Sequence, residues 1–167
     1  HSTNKLSTIS LKDNLAMVKT LILLYRATSN TLYKKEAAKL LREITHTFNS
    51  GNGYLYSFVG SSPLKATYNI SENIEACRLL NYSSYFFKNS AYKFAAENIM
   101  QFLIKPELIK TYSTEAGILS AANELLEEPN TGVYMQKTTP AQQAAFIKSC
   151  ISFPKFYFNN EVYTNQT

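Results

Sequence analysis

The fold of this chain is decided by two short stretches, Asn30-Thr31-Leu32-Tyr33-Lys34 and Asn89-Ser90-Ala91-Tyr92-Lys93, which lie 59 positions apart. The same offset relates Asp13-Asn14-Leu15 to Glu72-Asn73-Ile74. Agreement of polar and apolar types over such separated segments is typical of an internal repeat. We therefore predict two copies of one structural unit in the N-terminal two thirds of the chain.

Each unit is predicted to be a hairpin of two helices. The first segment of unit one has apolar residues at helical spacing around most of its circumference: Leu11, Leu15, Met17, Val18, Leu21, Ile22, Leu23, Leu24 and Tyr25. A helix of this kind is expected to pack on more than one side. The second segment has a narrower stripe, and residues 74–87 and 92–103 repeat the contrast. An inner helix followed by an outer helix, twice, is typical of an α/α toroid or an α-solenoid, and the period is too long for a tetratricopeptide solenoid, which needs about 34 residues.

Capping residues and turn formers mark the predicted helix ends. Ser10 and Ser71 stand where N-caps are expected, and Asn69-Ile70-Ser71-Glu72 could form a variant capping box. Pro106 follows the last helix of unit two. The link between the hairpins, residues 54–69, carries the aromatic residues Tyr54, Tyr56, Phe58 and Tyr68. These rings suit either a stacking platform for a flat ligand or packing over the helical core.

The C-terminal part has a different pattern. A fifth helix is predicted from about residue 114 to 128, followed by strands at 132–135 and 156–158 with a short helix between them. The crossover makes the two strands parallel, and residues 164–167 are expected to fray. The predicted fold is thus mainly α: two α/α hairpins plus a fifth helix (a partial α/α toroid) with a strand-helix-strand unit. We assign one domain, 1–167, with hairpin repeats at 10–128 and the appendage at 131–160.

Composition excludes several classes of function. Hydrophobic residues make up 45% and charged residues 17%, which indicates a soluble globular chain without a membrane partner. Its 17 basic residues are scattered, with Lys34-Lys35 as the only adjacent pair, so no nucleic-acid surface is predicted. Two cysteines, Cys77 and Cys150, and two histidines far apart give no metal site and no cofactor motif. The sequence begins at His1, so we expect an upstream portion; the compartment stays open, with the cytoplasm favoured.

The helix openings 12–16 and 71–74, together with residues 115–129 followed by Val133-Tyr134-Met135, resemble the C-terminal end of thioredoxin-linked α/α toroid proteins, the spermatogenesis-associated, thioredoxin-like family. That family is related to N-acylglucosamine epimerases and six-hairpin glycosidases. The resemblance implies that this chain is the last two hairpins and the closing unit, with a thioredoxin-like domain upstream. Cys77 and Cys150 do not match the Cys-x-x-Cys motif of that domain, so the resemblance assigns no redox residue here.

In toroids of this kind ligands lie in the cavity at one end of the inner helices. The resemblance therefore implies a candidate ligand site with no catalytic residue assigned, made of Asp13, Asn14, Tyr56, Glu72 and Asn73. First-turn acids also offset the helix macrodipole, and this structural interpretation explains their recurrence in both units without a substrate. We therefore expect a non-catalytic helical domain that interacts with its upstream domain or a second copy, or presents a ligand. The alternative is a sugar-processing enzyme with Asp13 and Glu72 as an acid-base pair.

Overall fold

The structure is a computed structural model, and it describes residues 9–60, 67–111, 115–126, 133–135, 141 and 162–164. Over these residues the chain is mainly α-helical, as predicted. Its elements, in chain order, are β1 (Ile9–Ser10), α1 (Leu11–Thr28), α2 (Thr31–Thr47), β2 (Phe58–Val59), α3 (Ile70–Phe86), α4 (Ser90–Leu103), α5 (Pro106–Thr111), α6 (Glu115–Leu126), β3 (Val133–Met135) and β4 (Val162–Thr164).

The helix ends repeat at the offset that the sequence predicts. Helix α1 is capped by Ser10, whose hydroxyl accepts from the Asp13 N–H at 3.4 Å. Helix α3 is capped by Asn69, 59 residues later, whose side chain accepts from the Glu72 N–H at 3.2 Å. Of the two caps that the sequence offered, the structure has Asn69, the first residue of the predicted capping box; Ser71 is not the cap, because Ile70 already begins the helix and places Ser71 in its first turn.

The turns inside the two hairpins also match. Ser29 and Lys88, again 59 residues apart, both adopt the left-handed conformation, with φ of 57° and 51°. Asn30 and Asn89 follow them as N-caps of α2 and α4. A non-glycine residue at positive φ is uncommon, so its recurrence at equivalent positions is strong support for one hairpin geometry used twice.

Helix α3 lies at the centre of the packing. It pairs with α4 to form the second hairpin and also contacts α1 and α6. The core includes fully buried residues from both hairpins, among them Leu15, Ala37 and Leu41 from the first and Leu80 and Ala96 from the second. Helix α1 pairs with α2 and contacts α3. Its expected burial on most of its circumference is only partly met, because Met17, Leu23 and Leu24 are 53%, 46% and 37% exposed.

Ion pairs join α1 to α3 and α3 to α6. Lys19 of α1 pairs with Glu75 of α3, and Arg78 of α3 pairs with Glu124 of α6, with Nη2–Oε1 at 2.5 Å. Lys19 and Arg78 are repeat equivalents, 59 residues apart. Helix α6 is held further at its C-terminal end, where Lys93 Nζ donates to the Leu125 carbonyl at 2.5 Å. A cation at this end of a helix also interacts favourably with the macrodipole.

Two small sheets complete the described structure. β1 pairs antiparallel with β2, which ties the link between the hairpins to the start of α1. β3 and β4 pair parallel, in register from Val133 with Val162 to Met135 with Thr164. The sequence predicted a parallel partner at 156–158, whereas the strand that pairs with β3 in the structure is 162–164, and Thr164, expected to fray, is paired. The predicted strand at 156–158 and the helix residues 144–151 lie outside the described residues.

Candidate functional site

The predicted site residues of the two inner helices lie at the same end of the molecule. Lys19, at the middle of α1, contacts Glu75 in the first half of α3, and the Tyr25 ring packs edge-on against Phe86 near the C-terminal ends of both helices, with centroids 5.8 Å apart. Contacts in this order make α1 and α3 parallel neighbours. Asp13 and Glu72 both lie in first turns, so the structure places them at one rim, which we call the N-terminal rim.

Asp13 and Asn14 are engaged with the cap of α1. The exposed Asp13 follows Ser10 by one turn and offsets the macrodipole, as an acid in this position does. The side chain of Asn14 donates from Nδ2 to the Ser10 carbonyl at 2.7 Å. Both residues therefore have a structural contribution in the first turn of α1.

Asn73 is the repeat equivalent of Asn14 but is fully buried. Its Nδ2 donates to the Leu55 carbonyl at 3.0 Å and to the Asn69 carbonyl at 2.9 Å. Its Oδ1 accepts from the Leu55 N–H at 2.7 Å. Since both amide hydrogens are used within the protein, Asn73 acts as a bridge between α3 and the link.

Two polar atoms near the N-terminal rim lack a protein partner within the described part of the chain. One is Oε2 of Glu72, and the other is the hydroxyl of Ser57, a residue that is 4% exposed. Leaving such buried atoms without a hydrogen bond is costly. Sequence reasoning missed Ser57, because its burial depends on the path of the link: its main-chain carbonyl accepts from the Leu11 N–H and its N–H donates to Thr67.

Tyr56 belongs to an aromatic cluster rather than to a free platform. Its ring packs against Tyr54, which in turn lies 4.8 Å from Tyr68 and 4.7 Å from Phe102 between ring centroids. A side-chain hydrogen bond with Tyr54 is the main cause that raises the pKa of the Tyr56 hydroxyl above its ordinary value. Because Phe102 is a buried residue of α4, this cluster fastens the link onto the second hairpin.

A cleft of about 630 Å³ lies beside this cluster, between α4 and the loop that follows α2. The loop folds back on itself: Ser50 N–H donates to the Tyr54 carbonyl and Tyr56 N–H to the Phe48 carbonyl. Gly53 at its tip has φ of +84°, and a Cβ there would lie 3.0 Å from the Asn98 carbonyl oxygen. This close approach to α4 fixes one wall of the cleft. Sequence reasoning did not predict the cleft, since its walls are distant in sequence.

Comparisons with known proteins give no family for this chain: no protein-family model matches the sequence, and no curated protein is similar to it. Among the described residues, no group of three or more His, Cys, Asp or Glu side chains is arranged to hold a metal ion. No helix in the described ranges has both the length and the apolar character needed to cross a bilayer.

Proposed function

We propose that this chain is a non-catalytic helical interaction domain, and that it docks a partner through the open side of α1. The observation that supports this is the exposure of three large apolar side chains on one helix, Met17, Leu23 and Leu24, at 53%, 46% and 37%. We call these three residues the α1 patch. Apolar side chains gathered on an exposed surface are typical of protein–protein contacts.

The repeat supports the same proposal by comparison. The equivalents of Met17 and Leu24 in the second unit are Ala76 and Ser83, and both are fully buried. The side of α3 that carries Ala76 and Ser83 is therefore covered, whereas the equivalent side of α1 is open and carries the larger apolar side chains of Met17 and Leu24. A repeat array is stabilised by contacts between neighbouring units, so an uncovered inner helix is a natural docking surface.

The occupant that we propose is helical. It is either a further helical part of a larger parent protein, as the resemblance to thioredoxin-linked toroids suggests, or a second copy of this chain. Both would place apolar side chains against the α1 patch in the way that neighbouring hairpins pack within the domain.

The test is self-association and apolar-dye binding of the purified chain. We expect sedimentation to show concentration-dependent dimers, or a monomer that binds an apolar dye. The double substitution Met17→Glu, Leu24→Glu is expected to abolish both signals, because it puts charges on the patch while leaving buried positions unchanged.

The matched control is Leu119→Glu on α6, since Leu119 is 69% exposed and lies outside the patch. This variant should behave like the unaltered chain. Each variant must first give the helical circular dichroism spectrum of the unaltered chain. A monomer that binds no dye, or a loss of association in Leu119→Glu equal to that of the double variant, contradicts the proposal.

A second function, a sugar-processing enzyme, is favoured by one observation, the buried and unpartnered Oε2 of Glu72 at the N-terminal rim. Such an enzyme would use Asp13 and Glu72 as a carboxylate pair about 5–10 Å apart. Thermal-shift measurements with mono- and disaccharides, repeated on Asp13→Asn, Glu72→Gln, test it. A stabilising sugar whose effect disappears in the double variant supports the enzyme, and an unresponsive protein rejects it.

A further inference from the structure

The cleft beside the aromatic cluster has walls of a consistent chemical type. On α4, Phe94, Asn98 and Gln101 recur at spacings of four and three, so they lie on one face of the helix, and Lys105 follows just beyond the helix end. On the loop, Asn49 and Asn52 face the same space. Both walls thus present side-chain amides, with an aromatic ring beside them.

Most of these amides are free to bind. Within the described part of the chain, the side chains of Asn52, Asn98 and Gln101 have no hydrogen-bond partner, whereas Asn49 Oδ1 accepts from the Gly51 N–H at 2.9 Å. An amide offers two donors and one acceptor oxygen, which matches hydroxyl groups that donate and accept in turn. The Phe94 side chain is 65% exposed, so its ring face is available to an apolar C–H surface.

The charged side chains that line the cleft indicate which charge a ligand would carry. Among the described residues that line it, Lys105 is the only charged side chain, and none is acidic. Its Nζ lies over the ring of Phe102, another residue that lines the cleft, at 5.3 Å from the ring centroid. A cleft with one cation and no carboxylate favours a ligand with a single negative charge and disfavours cationic ligands.

Other ligand classes fit less well. An extended peptide that adds a strand needs a free backbone edge, but the loop beside the cleft uses main-chain groups internally, from Ser50 to Tyr54 and from Phe48 to Tyr56. A nucleotide phosphate is usually held by several cationic or main-chain donors, and the described lining offers one lysine. The volume of about 630 Å³ is in the range of small-molecule sites.

We propose that this cleft binds a sugar acid, a saccharide of one or two rings that carries one carboxylate. The amides of Asn52, Asn98 and Gln101 bind the ring hydroxyls, the Phe94 ring packs against the C–H face of the sugar, and Lys105 pairs with the carboxylate. Binding involves no covalent step. It does not depend on the α1 patch, so either proposal can fail alone.

The test is a titration of the ¹⁵N-labelled chain, followed through the side-chain NH₂ signals of Asn and Gln. The probes are glucuronate, glucose as the ring without the carboxylate, and acetate as the carboxylate without the ring. We expect glucuronate to shift the signals of Asn52, Asn98 and Gln101, glucose to shift them with an affinity lower by about tenfold, and acetate to leave them unchanged.

Substitutions test which residue binds the carboxylate and which binds the sugar ring. Lys105→Met is expected to reduce the glucuronate affinity to that of glucose, while Lys35→Met, the loss of an exposed lysine on α2, leaves it unaltered. Phe94→Ala is expected to weaken both sugars, and its exposed position keeps the fold intact. The proposal is overturned if glucuronate shifts none of these signals, if acetate shifts them equally, if glucose binds as tightly as glucuronate, or if Lys35→Met matches Lys105→Met.

Discussion

Replacing Asn73 with alanine is expected to destabilise the protein strongly, because one buried amide satisfies both main-chain polar groups of Leu55. In the variant the Leu55 N–H and carbonyl lose the partners that lie 2.7 and 3.0 Å away in the structure. Leu55 is 5% exposed, so water does not readily replace the lost bonds. At about 1–3 kcal/mol for each of the two buried groups left unpaired, the free energy of unfolding should fall by about 2–6 kcal/mol.

Asn14→Ala is the matched control, since Asn14 is the repeat equivalent and makes a single side-chain bond, to the Ser10 carbonyl at 2.7 Å. Its cost should be about 0.5–1.5 kcal/mol. Thermal denaturation followed by far-UV circular dichroism measures both, and the Asn73 variant should melt roughly 5–15 °C lower than the unaltered chain. Asn73→Asp should cost at least as much as Asn73→Ala, because it buries a carboxylate oxygen against the Leu55 and Asn69 carbonyl oxygens that Nδ2 now contacts. Equal costs for Asn73→Ala and Asn14→Ala would refute the bridging role.

Two further expectations concern a turn and a thiol. Gly51 and Gly53 both have positive φ, but a Cβ at Gly51 meets nothing within 4 Å, whereas one at Gly53 lies 3.0 Å from the Asn98 oxygen. Urea denaturation should show a loss of about 1–2 kcal/mol for Gly51→Ala and a clearly larger loss for Gly53→Ala; equal losses would mean that the loop does not press on α4. For the buried Cys77, desolvation raises the pKa of the thiol from 9.0 to about 12. The unfolded thiol ionises first as pH rises, so its stabilising contribution is complete below pH 9 and is lost between about 9 and 12, by up to about 1.4 kcal/mol per pH unit. Urea denaturation at pH 8 and 10 should show this slope in the unaltered chain and a smaller one in Cys77→Ala; identical slopes would contradict the burial of the thiol.

The repeat was predictable because its markers are local. The polar residues that begin the helices and turns, such as Asn30 and Asn89, act on neighbouring main-chain groups, so their spacing alone indicates two hairpins. The sequence left the cap of α3 open, because Asn69 and Ser71 are both good caps. The choice between them depends on where Ile70 is buried, which is a tertiary effect.

The candidate site was less predictable, because its geometry also depends on tertiary contacts. Sequence reasoning grouped Asn73 with Glu72 as equivalent first-turn residues, but Asn73 is turned towards Leu55, 18 residues earlier in the chain. The cleft depends on contacts between Gly53 and Asn98, which no periodic pattern records. Local signals thus predicted the helices, while the surfaces between them depend on how the link crosses the second hairpin.

The ion pairs between inner helices give the series of units a direction. Each pair joins a base on the earlier helix to an acid on the later one, Lys19 of α1 to Glu75 of α3 and Arg78 of α3 to Glu124 of α6. At the position of α1 that is equivalent to Glu75, the sequence has Ala16 instead of an acid. Helix α1 therefore supplies a base, Lys19, to the acid of α3, but it has no acid at the position that would pair with a base on a preceding helix. A helix preceding α1 in such a series would therefore lack, at this position, the base-to-acid pair that joins α1 to α3 and α3 to α6.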